Sequence, residues 1–189
     1  MRCFLGFELS AEVREAIGAV QERLRHQLPS ARWVRPVNLH LTLRFLGEQS
    51  SERVSAFVRD LRDPVAACDR FSLEFRGCDA FPNAKRARVV WVGAHDPDRA
   101  LGRLRASVDR SLQRSGLERE KRPFAPHLTI ARFKKGRKPE SALEALISAL
   151  ADHRFGEVAI RELVLFESDL SSRGVRYQVV ERFGLSGKV

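Results

Sequence analysis

The feature of this chain that most constrains its fold is an internal repeat. Residues 35–43 read Arg-Pro-Val-Asn-Leu-His-Leu-Thr-Leu, and residues 122–130 read Arg-Pro-Phe-Ala-Pro-His-Leu-Thr-Ile. Both follow the pattern R-P-x-x-x-H-L-T with an aliphatic residue after it, and the two histidines, His40 and His127, lie 87 positions apart in a chain of 189 residues. A repeat at just under half the chain length predicts two similar lobes, each supplying one of these segments.

Each H-L-T tripeptide lies in an alternation of apolar and polar residues that is typical of a β-strand. Side chains two positions apart on a strand point to the same face of the sheet. His40 and Thr42 therefore share one face of the first strand, and His127 and Thr129 share one face of the second. If a pseudo-twofold axis relates the lobes, the two pairs of imidazole and hydroxyl groups face each other across a cleft.

Two opposed histidines suit general acid–base catalysis, because an imidazole titrates near neutral pH. One imidazole can take a proton from a nucleophile while the other gives a proton to a leaving group. Threonine hydroxyls can hydrogen-bond an anion held between them. A tetrahedral anion with an attacking and a leaving oxygen in line is a phosphodiester, whose transfer needs mainly positioning and charge stabilisation. The residues predicted to be catalytic are His40, Thr42, His127 and Thr129.

Zinc is the rival chemistry for a pair of histidines, and it would need a third or fourth ligand beside them. The sequence contains no H-E-x-x-H or C-x-x-C motif. We therefore expect no zinc at this pair of histidines. Three cysteines, Cys3, Cys68 and Cys78, stand at spacings that do not suggest a disulfide framework, and no signal peptide precedes them. We expect a reducing, cytoplasmic setting, with Cys3 acting as a small buried hydrophobic residue.

Charge adds information about partners. The chain carries 34 basic and 24 acidic residues, a net charge of +10, which favours a polyanionic partner such as nucleic acid, nucleotide or an anionic membrane surface. Arginine outnumbers lysine, an imbalance that genome composition alone can produce. A content of 43% hydrophobic and 31% charged residues excludes a disordered tail and a transmembrane bundle.

Hydrophobic periodicity outlines the secondary structure. We predict helices over residues 13–24, 54–61, 101–112 and 143–150, and strands over residues 3–9, 39–46, 71–75, 89–93, 127–133, 158–166 and 175–183. Pro64 is expected to stop the second helix, and the last two strands are expected to join around residues 172–174. Several strands adjoin each other directly, which favours an α+β fold with antiparallel sheets. We expect residues 1–189 to form a single bilobal domain.

These motifs and their flanking blocks resemble the 2H phosphoesterase superfamily, and more closely the RNA 2′,3′-cyclic phosphodiesterases, also known as 2′-5′ RNA ligases. The matching blocks are Arg2 with Phe4, residues 33–47, 81–83, 88–91 and 122–132, Phe166-Glu167-Ser168, and residues 174–177. The resemblance implies two α/β lobes around a water-filled cleft. It also implies hydrolysis of a 2′,3′-cyclic phosphate to a 2′-phosphate without a metal or a nucleotide cofactor, and weak, reversible 2′-5′ ligation in some members. It assigns His127 as base and His40 as acid.

Three further residues are candidates for substrate binding. Arg132 follows His127 by five positions, which places it on the opposite face of a regular strand unless a bulge or the strand end turns it into the cleft. In similar proteins an arginine here approaches the bound nucleotide; a structural ion pair is the alternative. Phe81 either stacks on a terminal base or plugs the core under a turn. Tyr177 either offers its hydroxyl to the cleft or is an ordinary half-buried tyrosine.

Other conspicuous residues favour structural roles. We expect Phe4 and Phe7 in the core, Trp33 in the core or cleft wall, and the remaining histidines, His26, His95 and His153, to be solvated or capping. The basic tract over residues 134–138 either guides RNA phosphates towards the cleft or is a solvated loop.

The leading hypothesis is an enzyme that acts on RNA ending in a 2′,3′-cyclic phosphate, tRNA fragments among them, as a monomer without membrane contact. One alternative is an RNA- or nucleotide-binding module that has lost turnover. Another is a 2H phosphodiesterase for 2′-5′ oligoadenylate or a small cyclic nucleotide.

Overall fold

The computed structural model describes residues 1–171 and 174–187. Its strands are β1 (Arg2–Glu8), β2 (Arg32–Trp33), β3 (His40–Glu48), β4 (Phe71–Phe81), β5 (Val89–His95), β6 (His127–Arg132), β7 (Arg154–Ile160), β8 (Glu162–Ser171) and β9 (Gly174–Gly184). Its α-helices are α1 (Ala11–Arg25), α2 (Ser51–Ala66), α3 (Ala100–Arg114) and α4 (Ala142–Ala149). Short 3-10 helices cover Pro36–Asn38 and Ala84–Arg86.

The strands form two sheets. One has the order β3-β1-β8-β9 and the other the order β2-β6-β5-β4-β7. Every pairing between these strands is antiparallel. The predicted α+β class with antiparallel sheets is therefore confirmed. Each sheet holds one of the two H-L-T strands, β3 in the first and β6 in the second.

The internal repeat extends beyond the motifs. The offset of 87 positions that relates His40 to His127 also relates β1 to β5, and β1 pairs with β3 as β5 pairs with β6. Gly6 on β1 and Gly93 on β5 obey the same offset. A Cβ atom at Gly6 would lie 2.6 Å from the Leu41 oxygen, and one at Gly93 would lie 2.8 Å from the Arg76 oxygen. Glycine is needed at both positions because the backbone of the neighbouring strand leaves no room for a side chain.

Helix α1 forms where the sequence predicts it. Ser10 is the N-cap, and its side chain accepts a hydrogen bond from the Val13 amide. The predicted apolar positions Val13, Ile17, Val20 and Leu24 are all buried. Helix α1 packs against β7, whereas α2 packs against β9 and α3, so helices cover both sheets.

Helix α2 corrects one prediction, because it runs through Pro64 to Ala66. A proline removes one hydrogen bond to the residue four positions earlier. In α2 the bond lost is the one that an amide at position 64 would make to Asp60 O. Val65, just after the proline, is fully buried, and the Ala67 amide donates to Asp63 O at the helix end. Packing therefore sustains the final turn.

A second prediction, one strand over residues 158–166, is wrong. The chain divides at Arg161 into β7 and β8, which belong to different sheets. Only Arg161 and Glu162 separate the two apolar segments, and neither residue is a turn signal such as glycine or proline. The sequence analysis also missed the short strand β2. The turn predicted around residues 172–174 includes Ser172 and Arg173, which lie outside the described residues.

The buried residues mostly match expectation. Phe7 lies in the main core and Trp33 packs against it. Phe4 is also buried, but in a small separate cluster with Val164 and Phe166. Cys3 and Cys78 are buried, and all three cysteines are free. His26, His95 and His153 are exposed, as predicted.

Candidate active site

The structure places both H-L-T pairs on one cleft. A depression of about 920 Å³ between the sheets is lined by His40 and Thr42 from β3 and by His127 and Thr129 from β6. All four side chains are half-buried, while the intervening Leu41 and Leu128 are fully buried. A second groove of about 630 Å³, between the end of α2, the start of β4 and α3, contains no histidine or threonine.

Both imidazole rings are held in the same way. His40 Nδ1 lies 2.7 Å from Asn38 O, and His127 Nδ1 lies 2.7 Å from Ala125 O. A carbonyl oxygen only accepts hydrogen bonds, so each Nδ1 carries a proton and donates it. In a neutral ring this fixes Nε2 as the unprotonated nitrogen. Each histidine therefore keeps Nε2 available for proton transfer.

Aromatic rings pack against both imidazoles. The ring centroid of His40 lies 4.7 Å from Phe4 and 4.8 Å from Tyr177. That of His127 lies 5.0 Å from Phe81, which itself stacks on Trp91 at 5.0 Å. These contacts restrict each imidazole to one orientation. Phe81 and Tyr177 are half-buried and line the cleft, as the first alternative for each requires.

Burial lowers the pKa of His40. The hydrogen bond to Asn38 O raises this pKa because it favours the protonated ring. The positive charge of Arg132 lowers the pKa further. Burial also raises the pKa of Tyr177, whereas the positive charges of Arg132 and Arg2 lower it. Arg132 comes from the second motif strand, and it lines the same cleft as His40 and Tyr177 of the other sheet.

The position of Arg132 depends on a β-bulge. On β6, Ala131 pairs with Val90 and Thr129 pairs with Trp91, which leaves Ile130 as an extra residue. Ile130 and Ala131 are both buried, so the alternation changes phase and Arg132 faces the cleft. The sequence analysis named a bulge as one way to bring Arg132 into the site. Its alternative, a structural ion pair, is not found for Arg132 among residues 1–171 and 174–187.

The first motif strand has the same irregularity. On β3, Arg44 pairs with Leu5 and Thr42 pairs with Gly6, which leaves Leu43 as the extra residue. On the exposed face that His40 and Thr42 share, the next side chain is therefore Phe45, which is 59% exposed and lines the cleft. The sequence analysis missed Phe45, although it occupies the position in the first motif that Arg132 occupies in the second.

The cleft is rich in positive charge. Among the residues that the structure describes, its arginines are Arg2, Arg44, Arg105, Arg122 and Arg132, and its carboxylate is Glu120. Arg44 and Arg105 are buried and pair with Asp109, and Arg44 also pairs with Glu120. The remaining three are exposed, an arrangement suited to a polyanionic ligand. The basic tract over residues 134–138 is exposed just after β6 but does not line the cleft.

Two further findings concern metals and membranes. Within the described part of the chain, no three His, Cys, Asp or Glu side chains converge as a metal-binding group. No described helix combines the length and apolar character needed to span a bilayer.

The chain belongs to the 2′-5′ RNA ligase superfamily, whose family model matches residues 8–171. Relatives support this at nearly full length. The RNA 2′,3′-cyclic phosphodiesterase of Methanothermobacter thermautotrophicus is 31% identical over 185 residues, covering 98% of this chain and 99% of the relative. That of Escherichia coli is 33% identical over 189 residues, covering 98% and 97%.

Solved structures agree with the fold. TT0787 of Thermus thermophilus superposes with a TM-score of 0.82 at 28% identity and covers 100% of both chains. Escherichia coli LigT complexed with 3′-AMP gives 0.78 at 29% identity and covers 98% of both chains. The 2H phosphoesterase fold expected from the sequence is confirmed.

Proposed function

We propose that this protein is an RNA 2′,3′-cyclic phosphodiesterase that hydrolyses the cyclic phosphate end to a 2′-phosphate. The observation that carries the proposal is the matched pair of histidines on one cleft, each with Nδ1 bound to a carbonyl oxygen and Nε2 available. The relatives named as RNA 2′,3′-cyclic phosphodiesterases support the choice of substrate.

The proposed reaction is an in-line displacement at phosphorus. His127 takes a proton from water as the water oxygen bonds to phosphorus, and the bond to O3′ breaks. His40 gives its proton to the departing O3′, while Thr42 and Thr129 hydrogen-bond the non-bridging oxygens. Burial alone favours the neutral form of His40. The negative charge of the phosphodiester favours the protonated form, so substrate prepares this histidine to act as the acid.

The proposed substrate is RNA, because three exposed arginines line the cleft and the chain carries a net charge of +10. Arg132, Phe81 and Tyr177 are proposed to contact the terminal nucleotide. We further propose a monomeric, cytoplasmic enzyme whose residues 1–189 form one bilobal domain, with tRNA fragments among its substrates. The reaction is proposed to need no metal or cofactor.

The test is incubation with an RNA oligomer ending in a 2′,3′-cyclic phosphate, with products resolved against 2′-phosphate and 3′-phosphate standards. A 2′-phosphate end is expected. The double variant His40→Ala/His127→Ala, purified identically, shows whether a contaminating nuclease contributes. A 3′-phosphate product contradicts the proposed bond cleavage. Tight binding without turnover favours the binding module, and faster cleavage of 2′-5′ oligoadenylate favours the other alternative.

The roles of the two histidines are tested with a substrate whose 3′ leaving group is already a weak base. Such a group departs with little protonation, so the acid is dispensable. His40→Ala is expected to regain activity on it, whereas His127→Ala is not. The reverse pattern exchanges the two roles.

A further inference from the structure

Two buried polar side chains reach the bulges from the helices beneath them. Gln21 on α1 is 2% exposed and Arg105 on α3 is 8% exposed, although most of the residues that these helices bury are apolar. Each has buried apolar neighbours four positions before it, one position before it and three positions after it. For Gln21 these are Ile17, Val20 and Leu24; for Arg105 they are Leu101, Leu104 and Val108.

Gln21 binds the bulge on β6. Its Nε2 donates hydrogen bonds of 2.9 Å to Ile130 O and 2.9 Å to Val34 O. Ile130 is the extra residue of β6, and Ile130 O also accepts from the Val34 amide. An amide nitrogen has two protons, and both are used here. Gln21 therefore joins the bulge of the second motif strand to the segment that precedes the first motif.

Arg105 does the same for the other strand. Its guanidinium donates to Leu43 O, where Leu43 is the extra residue of β3. It also pairs with Asp109, through Nε to Oδ2 at 2.6 Å, and lies 4.9 Å from the ring centroid of Phe124. Phe124 belongs to the segment that precedes the second H-L-T tripeptide. Each helix thus supports the bulge of one motif and the segment before the other.

We propose that Gln21 is a positioning residue, which keeps Arg132 in the cleft by holding the bulge at Ile130. Arg105 in the same way keeps Phe45 in the cleft by holding the bulge at Leu43. The reason is geometrical. A bulge places two residues of one strand against one of its neighbour, and its backbone polar groups need partners outside the regular ladder. Without the bulge, regular alternation turns Arg132 to the face opposite His127. The catalytic consequence rests on the proposed function, in which Arg132 contacts the substrate.

The first test is Gln21→Met, which keeps the side-chain length and removes the donor. We expect kcat/KM on the cyclic-phosphate RNA to fall at least ~10-fold, since misplacing a substrate contact by 1 Å can cost ~10²-fold. Val20→Ala, on the same helix and in the core, is the matched control. It removes core packing and leaves the Gln21 amide in place, and it should keep kcat/KM within about twofold at a temperature where both variants are folded.

Coupling to Arg132 separates positioning from general damage. If Gln21 acts through Arg132, the loss from Gln21→Met is largely absent in an Arg132→Ala background, because the two changes remove the same contact. If Gln21→Met lowers kcat/KM by the same factor in the Arg132→Ala background as in the wild type, the proposal is contradicted. If Gln21→Met does not fold, Gln21→Leu replaces it in the same comparison. The Arg105 part of the proposal is tested separately with Arg105→Met and Arg105→Lys. The lysine variant retains a donor and should keep most activity that the methionine variant loses; equal losses contradict the proposal.

A structure of Gln21→Met tests the inference even if the wild-type protein is inactive on the RNA. Inactivity of the wild type refutes the proposed function only. In the variant, we expect Arg132 to leave the cleft. We also expect the bulge either to disappear or to move from Ile130 to another residue of β6. An unchanged bulge at Ile130 with Arg132 still in the cleft overturns the positioning role.

Discussion

Replacing the motif threonines by valine tests the anion-binding half of the site. Thr42 and Thr129 lie two positions after the histidines, half-buried on the cleft face. Valine has the same branched shape and suits a strand equally well, so only the hydroxyl is lost. A hydrogen bond to a charged group contributes roughly 1.5–3 kcal/mol. At ~1.36 kcal/mol per decade, each Thr→Val variant should lose roughly 10- to 160-fold in kcat/KM.

The assay is steady-state hydrolysis of the cyclic-phosphate RNA, with thermal unfolding of each variant as a check on folding. Thr42→Ser and Thr129→Ser are the matched controls, because they keep a hydroxyl at the same position. They should retain most of the activity. If both valine variants fold and stay within about twofold of wild type, the threonine hydroxyls do not bind the phosphoryl oxygens and this part of the mechanism is refuted.

Three other predictions concern charge, metal and pH. Arg132→Ala should weaken RNA binding and lower the slope of log K against log salt by about 1, whereas Arg23→Ala, exposed on α1 away from the cleft, should leave both unchanged. EDTA should leave the hydrolysis rate unchanged; a rate that EDTA abolishes and zinc restores would contradict the metal-free mechanism. Burial lowers the pKa of His40 in the folded protein, so the unfolded chain takes up that proton first. The free energy of unfolding should therefore fall as pH drops below about 6.5 towards the folded pKa, and should fall less in His40→Ala. An unchanged pH dependence in that variant would contradict the assigned burial effect.

The histidine and threonine faces could be predicted from the sequence because they depend only on local alternation. Residues two apart on a short strand share a face whatever surrounds them. The repeat then supplied the second strand and the expectation of a shared cleft. The pairing of β1 with β3 and of β5 with β6 follows the same repeat.

Other features depend on contacts that local pattern does not reveal. Arg132 faces the cleft because of a bulge, and that bulge is bound by Gln21, which lies 109 positions earlier. Phe45 was missed for the same reason. The chain leaves one sheet after β7 and enters the other at β8, and the alternation of apolar residues does not show which sheet a strand joins. A polar residue at an otherwise apolar helix position, as at Gln21 and Arg105, was the one available signal.

The most direct test of the central claim is single-turnover hydrolysis of the cyclic-phosphate RNA by His40→Ala and His127→Ala. The account predicts that each folded variant loses at least ~10²-fold in rate, the usual scale for a general acid or base. It also predicts that wild-type kcat/KM follows a bell-shaped pH profile whose limbs belong to the histidine pair. A folded variant of either histidine that hydrolyses the RNA at the wild-type rate would contradict the account.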